Sequence, residues 1–194
     1  MNELKHDLRK IIKREIKTFD QEFLAESNHQ IIQNLLVLPE FSESKTVFCY
    51  VGVNEEINTV PIIQMALELG KVVAVPLCTG NGIMEAHVIS AIDELTPGYR
   101  GILEPLNSST NCLNPREIDL LIVPCLSANS KGQRIGYGGG FYDRYLKHTI
   151  GVKVVLCREK LVHEDILVEN HDQKMDILVT EEKIINIKRE SVQK

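Results

Sequence analysis

Short runs rich in β-branched residues, at residues 46–51, 71–76, 119–123, 152–157 and 176–180, alternate with stretches of helical spacing. This alternation limits the fold more than any other feature of the chain. The run Val72, Val73, Ala74 and Val75 is apolar on both sides of a strand. Such strands belong in sheets covered on both faces, and those are parallel sheets with helical crossovers. The expected fold class is therefore α/β, with a largely parallel sheet flanked by helices. One crossover helix is bounded by Thr59 and Pro61 at its start and Gly70 at its end, with Ile62, Ile63, Ala66 and Leu67 on its core side. A further strand at 85–90 follows a turn at Gly80-Asn81-Gly82.

An N-terminal helical pair precedes the sheet. Leu4, Leu8, Ile11, Ile12, Ile16 and Phe19 fall on one face of a helix over 3–19, and a second helix runs from 21 to 37 with Asp20 as its N-cap. Residues 97–114 read as mostly irregular, and the tail from 181 to 194 as charged and peripheral. The 194 residues are expected to form a single domain. Charge sums to 22 − 27 = −5, which argues against nucleic acid as a partner. The five cysteines lack any Cys-x-x-Cys spacing and sit mostly in apolar runs, so buried, reduced thiols are expected rather than disulfides or zinc. No apolar stretch reaches membrane-helix length, and the N-terminus is too charged for a signal peptide. A cytoplasmic protein with no membrane partner is expected.

The segment most suggestive of chemistry is Arg-Ile-Gly-Tyr-Gly-Gly-Gly-Phe-Tyr-Asp-Arg, from Arg134 to Arg144, followed by helical spacing to His148. Bare backbone N–H groups can wrap a phosphate at a helix start. Arg134 would add a cation and Asp143 a Mg²⁺ ligand. It is neither a Walker loop nor Gly-x-Gly-x-x-Gly, and a plain Gly-rich turn remains the alternative. Ligands of parallel sheets bind beyond the strands' carboxyl ends, which puts 52–56, 127–143 and the stretch after 157 on one rim. Glu56 there can orient a substrate N–H or serve the helix dipole. Lys5, Arg9, Lys13 and Lys17 form a stripe that is either a solvated face or part of a site. The runs 163–165 and 169–172 look like metal-ligand loops or solvated acidic loops, and Asp172 is a candidate cation ligand. Tyr50, Tyr137, Phe141 and Tyr142 can flank a flat heteroaromatic ring or pack the core. Neither a His-Glu-x-x-His nor a Gly-x-Ser-x-Gly pattern is present.

Several separated motifs resemble the 5-formyltetrahydrofolate cyclo-ligase family: Lys5-x-x-x-Arg9, Glu56-Ile-Asn-Thr59, Gly101-Ile-Leu-Glu-Pro105, Val123-Pro124 through Gly132-x-Arg134 to Asp143-Arg144, and His171-Asp172 ahead of Asp176. The resemblance spans residues 5 to about 180. It implies an enzyme that uses Mg²⁺ and ATP to close 5-formyltetrahydrofolate into 5,10-methenyltetrahydrofolate through a phosphorylated formyl group. It further implies that Lys5, Arg9, Arg134 and the loop Ile135, Gly136, Tyr137, Gly138, Gly139, Gly140, Phe141 and Tyr142 bind ATP. Val51 and Glu56 would contact the pterin, with Tyr137, Gly138, Gly139, Gly140 and Phe141 also touching the folate. Asp143 and Asp172 would hold Mg²⁺, Arg134 and Asp143 would carry the catalytic load, and a monomer is expected.

The chain departs from the family pattern at Cys125 (usually Gly), Asn129 (often Asp) and Phe141 (usually Tyr). Asn129 is given no catalytic role. Read without the resemblance, the chain is an α/β enzyme binding a phosphorylated ligand. The alternatives are a non-catalytic nucleotide or folate sensor, and a sugar-phosphate isomerase or CoA-transferase-like enzyme, for which Glu104 is the proton-transfer or nucleophilic candidate.

Overall fold

The computed structural model describes residues 2–80, 82–98, 101–105 and 112–187. Its helices are α1 (Asn2–Ile16), α2 (Gln21–Leu36), α3 (Pro39–Glu43), α4 (Val60–Glu68) and α5 (Phe141–Leu146). The strands are β1 (Thr46–Cys49), β2 (Val72–Gly80), β3 (Ile83–Ile89), β4 (Leu95–Pro97), β5 (Leu103–Pro105), β6 (Cys112–Leu113), β7 (Leu120–Val123), β8 (Ser127–Ala128), β9 (Arg134–Ile135), β10 (Val152–Leu156), β11 (Ile177–Val179) and β12 (Ile184–Asn186).

Eight strands form one sheet in the order β12-β11-β10-β7-β1-β2-β3-β6. The pairs from β11 through β10, β7 and β1 to β2 are parallel, and the flanking pairs are antiparallel. The α/β, largely parallel expectation holds. Strand alternation sorts the core into two layers. Val47, Cys49, Val73, Leu120, Ile122 and Val154 face α2, α3 and α4. Phe48, Ala74, Leu121, Val123 and Val155 face α1 and α5, where Phe48 stacks on Tyr145 at 5.3 Å between ring centroids. Each such buried aliphatic or aromatic side chain contributes about 1.5–3 kcal/mol relative to exposure.

Register is pinned by carboxylates at strand entrances. Asp119 Oδ2 accepts from the N–H groups of Lys45 (2.8 Å) and Thr46 (3.0 Å), and Asp176 Oδ2 accepts from Lys153 N–H at 2.8 Å. Both aspartates therefore precede their strands rather than opening them as the runs 119–123 and 176–180 imply. Asp20 caps α2 as expected, accepting from Phe23 N–H at 2.7 Å.

Two expectations are overturned. The tail from 181 is not wholly peripheral: Ile184–Asn186 adds the antiparallel edge strand β12, and Ile187 is buried. Its charged neighbours masked a β-branched pair that the sheet edge could use. In α1, Leu4 and Ile11 are 60% and 55% exposed, while Lys5 is buried. The helix is turned so that its basic stripe faces inward at one end, and Ile12 carries its core contact. Residues 97–114 contain β5 and β6, Asn81 of the predicted turn lies outside the described residues, and so do 188–194 of the tail. Among the described residues no helix is long and apolar enough to cross a membrane.

Candidate active site

The chain leaves β1 toward β2 on one side and reaches β7 on the other, so the sheet's switch point lies between β1 and β7. A crevice opens there beyond the strand ends. Its volume is about 790 Å³, within the range of small-molecule sites.

The loop after β1 forms one wall. Gly52 sits where an added Cβ would lie 2.0 Å from the Ile57 carbonyl oxygen, so only glycine fits that approach. Buried Thr59 fixes the loop from below: its hydroxyl donates to Tyr50 O and accepts from Gly52 N–H at 3.1 Å. Thr59 therefore acts as a loop anchor, not the side-chain helix cap its position suggests. The turn closes with Glu56 N–H on Val53 O and Val53 N–H on Glu56 Oε2, both at 3.0 Å. Burial raises the Glu56 carboxyl above its ordinary range, while the Tyr137 hydroxyl and Val53 N–H pull it back.

The Gly-rich loop forms the facing wall, between β9 and α5. Gly138 and Gly140 adopt φ of 99° and 66°, the left-handed region that glycine enters without penalty. Arg144 braces the loop by donating to Gly139 O at 2.7 Å. At its entrance the buried Arg134 donates to Asp143 Oδ1 at 2.8 Å and lies 6.0 Å from the Tyr142 ring centroid. The same Asp143 oxygen accepts from Gln173 N–H at 3.2 Å.

Helix α1 crosses the open side. Arg9 Nε donates to Gly136 O at 2.8 Å, and Lys13 Nζ lies 5.9 Å from the Tyr137 ring centroid. Lys5 Nζ sits between Glu169 Oε2 at 3.0 Å and Asp172 Oδ2 at 2.5 Å. Burial works to raise the Asp172 carboxyl, but Lys5 and the Glu169 N–H outweigh it, so the group is held below its usual range. α5 has only six residues, and the cations that line the crevice include Lys5, Arg9 and Lys13 of α1 together with Arg134.

Every residue that the family resemblance assigns to the site lines this crevice: Lys5, Arg9, Val51, Glu56, the loop from 134 to 142, Asp143 and Asp172. Carboxylate oxygens suit Mg²⁺, which takes one or two such ligands and completes its shell with phosphate and water. Asp143 and Asp172 each keep an oxygen outside their Arg134 and Lys5 contacts, so the donor set fits. Glu169 and His171 offer donor atoms within 4.8 Å of that of Asp172. The loop pattern at 169–172 hinted at them, but nothing in the sequence singled out Glu169 as the second partner of Lys5.

Arg158 was missed altogether. It is buried, lines the crevice, and ties α2 to the Glu56 loop by donating to Ser27 Oγ (3.1 Å) and Glu55 O (2.8 Å). The loop 163–165 is structural instead: Glu164 holds Ser130 through its Oγ (2.7 Å) and N–H (3.2 Å). Glu104 is buried on the crevice wall, with Oε1 accepting from Cys78 N–H at 3.4 Å. Asn129, the departure from Asp, organises the β8–β9 turn. Its Oδ1 accepts from Lys131 and Gln133 N–H, and its Nδ2 donates to Gln133 Oε1 and Glu164 O.

The chain is also similar to proteins already known. The chain is 28% identical over 182 residues to the 5-formyltetrahydrofolate cyclo-ligase of Escherichia coli K12, covering 90% of this chain and 98% of that one. It is 29% identical over 198 residues to the Saccharomyces cerevisiae enzyme of the same name, covering 89% and 92%. The solution structure of Aquifex aeolicus 5,10-methenyltetrahydrofolate synthetase superposes with a TM-score of 0.85 at 30% identity, covering 95% of this chain and 93% of that one. With a family model matching residues 1–181 as well, the chain belongs to the 5-formyltetrahydrofolate cyclo-ligase family.

Proposed function

We propose that the crevice holds ATP and 5-formyltetrahydrofolate together and closes the formyl folate into 5,10-methenyltetrahydrofolate. The observation that carries this reading is the convergence of Lys5, Arg9, Arg134, the Gly-rich loop and Glu56 on one cleft at the sheet's switch point. Cations and bare backbone suit a triphosphate, and a carboxylate such as Glu56 suits the adjacent N–H groups of a pterin.

An N-formyl oxygen is a poor leaving group because the group is amide-like. Transfer of the γ-phosphoryl makes an O–P bond to that oxygen and breaks the bridge to the β-phosphate, releasing ADP. The neighbouring anilino nitrogen then attacks the formyl carbon, the C–O bond breaks, phosphate departs, and the nitrogen's proton is lost. Positioning dominates such a reaction, and no side-chain nucleophile is required. Lys5, Arg9 and Arg134 hold the phosphate oxygens, Val51 and Glu56 orient the pterin, and Tyr137 closes over both. Asp143 and Asp172 would hold Mg²⁺, which supplies charge neutralisation on the phosphates when bound.

The test is near-ultraviolet absorbance of the methenyl product after mixing protein, 5-formyltetrahydrofolate, ATP and Mg²⁺. A rise that requires ATP and disappears in Asp143→Asn, with the fold intact by circular dichroism, is the expected result. Absence of any rise in the unmodified protein would overturn the reading.

A further inference from the structure

On strand β3, Met84 and Ala86 belong to the layer that α1 and α5 cover, so Glu85 and His87 point to the opposite face. Edge strand β6 pairs antiparallel with β3, with Leu113 opposite Ala86 and Cys112 directly opposite His87. Cys112 therefore shares the Glu85–His87 face. Each of these three side chains offers a donor atom within 4.8 Å of the others. None of them lines the crevice described above.

The expectation of buried thiols holds at Cys49 and Cys157, is met only in part at half-buried Cys78 and Cys125, and fails at Cys112, which is exposed at the sheet's edge. His87 is 4% exposed. Its Nε2 lies 3.0 Å from Glu85 Oε2, while its Nδ1 is buried with no hydrogen-bond partner. One nitrogen, one sulfur and one oxygen from a rigid cross-strand pair and its i−2 neighbour make a donor set suited to a borderline-soft divalent cation. Zn²⁺ takes N, S and O ligands at about 2.0–2.3 Å, whereas Mg²⁺ and Ca²⁺ prefer oxygen alone.

We propose that Glu85, His87 and Cys112 form a three-ligand site for a zinc-class divalent cation, clipping edge strand β6 to β3 and leaving a fourth position to water. Binding releases the Cys112 thiol proton to solvent and replaces the hydrogen-bonding contact between His87 and Glu85 with metal bonds. The site is separate from the crevice and does not depend on the function proposed above.

Cobalt(II) is the probe. The full chain, stripped with chelator and kept reduced with a phosphine, is titrated with Co²⁺ and the absorbance followed. One equivalent should produce a near-ultraviolet thiolate-to-cobalt band with visible bands of four-coordinate geometry, and one equivalent of Zn²⁺ should erase both. Cys112→Ser should lose the thiolate band, and Glu85→Gln should keep it with affinity weakened about 10-fold or more. Cobalt binding without a thiolate band, or a band that survives Cys112→Ser at equal affinity, would overturn the site. Loss of the family reaction in Cys112→Ser would overturn its independence from the crevice.

Discussion

Lys5 and Asp172 form an ion pair of 2.5 Å across 167 positions of sequence, and Lys5 is almost wholly buried. Under the proposed function both partners have ligand work as well. Lys5 must turn to phosphate oxygens and Asp172 to a cation, so ligand binding exchanges partners rather than adding contacts to free groups.

Lys5→Met should therefore harm both binding and folding. Removing the cation leaves Glu169 and Asp172 facing each other, at a cost of about 1–3 kcal/mol after discounting their partial exposure. Urea denaturation measures this, and ATP affinity by calorimetry should fall as well. The pH dependence has a definite sign. In the parent, Asp172 is held below 3.8, so its contribution is complete above that value and vanishes as pH falls through the lowered one. In Lys5→Met the carboxylates repel, so lowering pH toward 4 should recover part of the loss relative to the parent. An equal deficit at pH 4 and 7 would contradict the account.

Arg134→Lys should lower turnover by about 100-fold while leaving folate affinity within a few-fold. The guanidinium bonds Asp143 and lies near Tyr142 in a buried slot that a lysine ammonium does not reproduce. Steady-state kinetics in ATP, beside folate titration by fluorescence, separates the two effects.

At Glu56, stability and binding should diverge. Burial raises this carboxyl above 4.5, so the charged form costs the unliganded fold stability at neutral pH. Glu56→Gln should raise the denaturation midpoint yet weaken folate binding about 10- to 100-fold, with ATP binding little changed. In the parent, folate affinity should decline as pH falls into the raised range and the carboxylate takes up a proton. A parallel loss of both ligands' affinity would contradict the pterin role.

Asn129→Ala should destabilise by roughly 2–3 kcal/mol, because its buried amide serves four partners around the β8–β9 turn. Asn129→Asp keeps both accepted N–H bonds but sets a carboxylate against Gln133 Oε1 and Glu164 O. Its deficit should shrink at low pH, where the acid regains a donor; thermal melts at pH 4 and 7 decide.

The parallel core was legible because Val72 to Val75 admits few other environments, and the glycines from 136 to 140 advertised their loop. Lys5 was harder. By periodicity it belongs to a surface stripe, and only the family resemblance moved it into the site. The burial of Lys5 depends on acids far along the chain, which no local pattern encodes. Exposed Leu4 and Ile11 are the other side of that rotation. Arg158 left no local mark either, since its partners Ser27 and Glu55 lie 131 and 103 positions away. Strand β12 was hidden by brevity, and β6 by the polar stretch before it.

Helix α1 meets the Gly-rich loop through Arg9 and Gly136, 127 positions apart, and the acidic loop through Lys5 and Asp172, 167 apart. A ribosome delivers that helix well before those acids. Until residues 169–172 emerge, Lys5 lacks both of its ion-pair partners, and no nascent chain that stops before them carries both halves of that contact. Under the proposed function, capture of ligand by the whole crevice therefore waits until synthesis has run past residue 172.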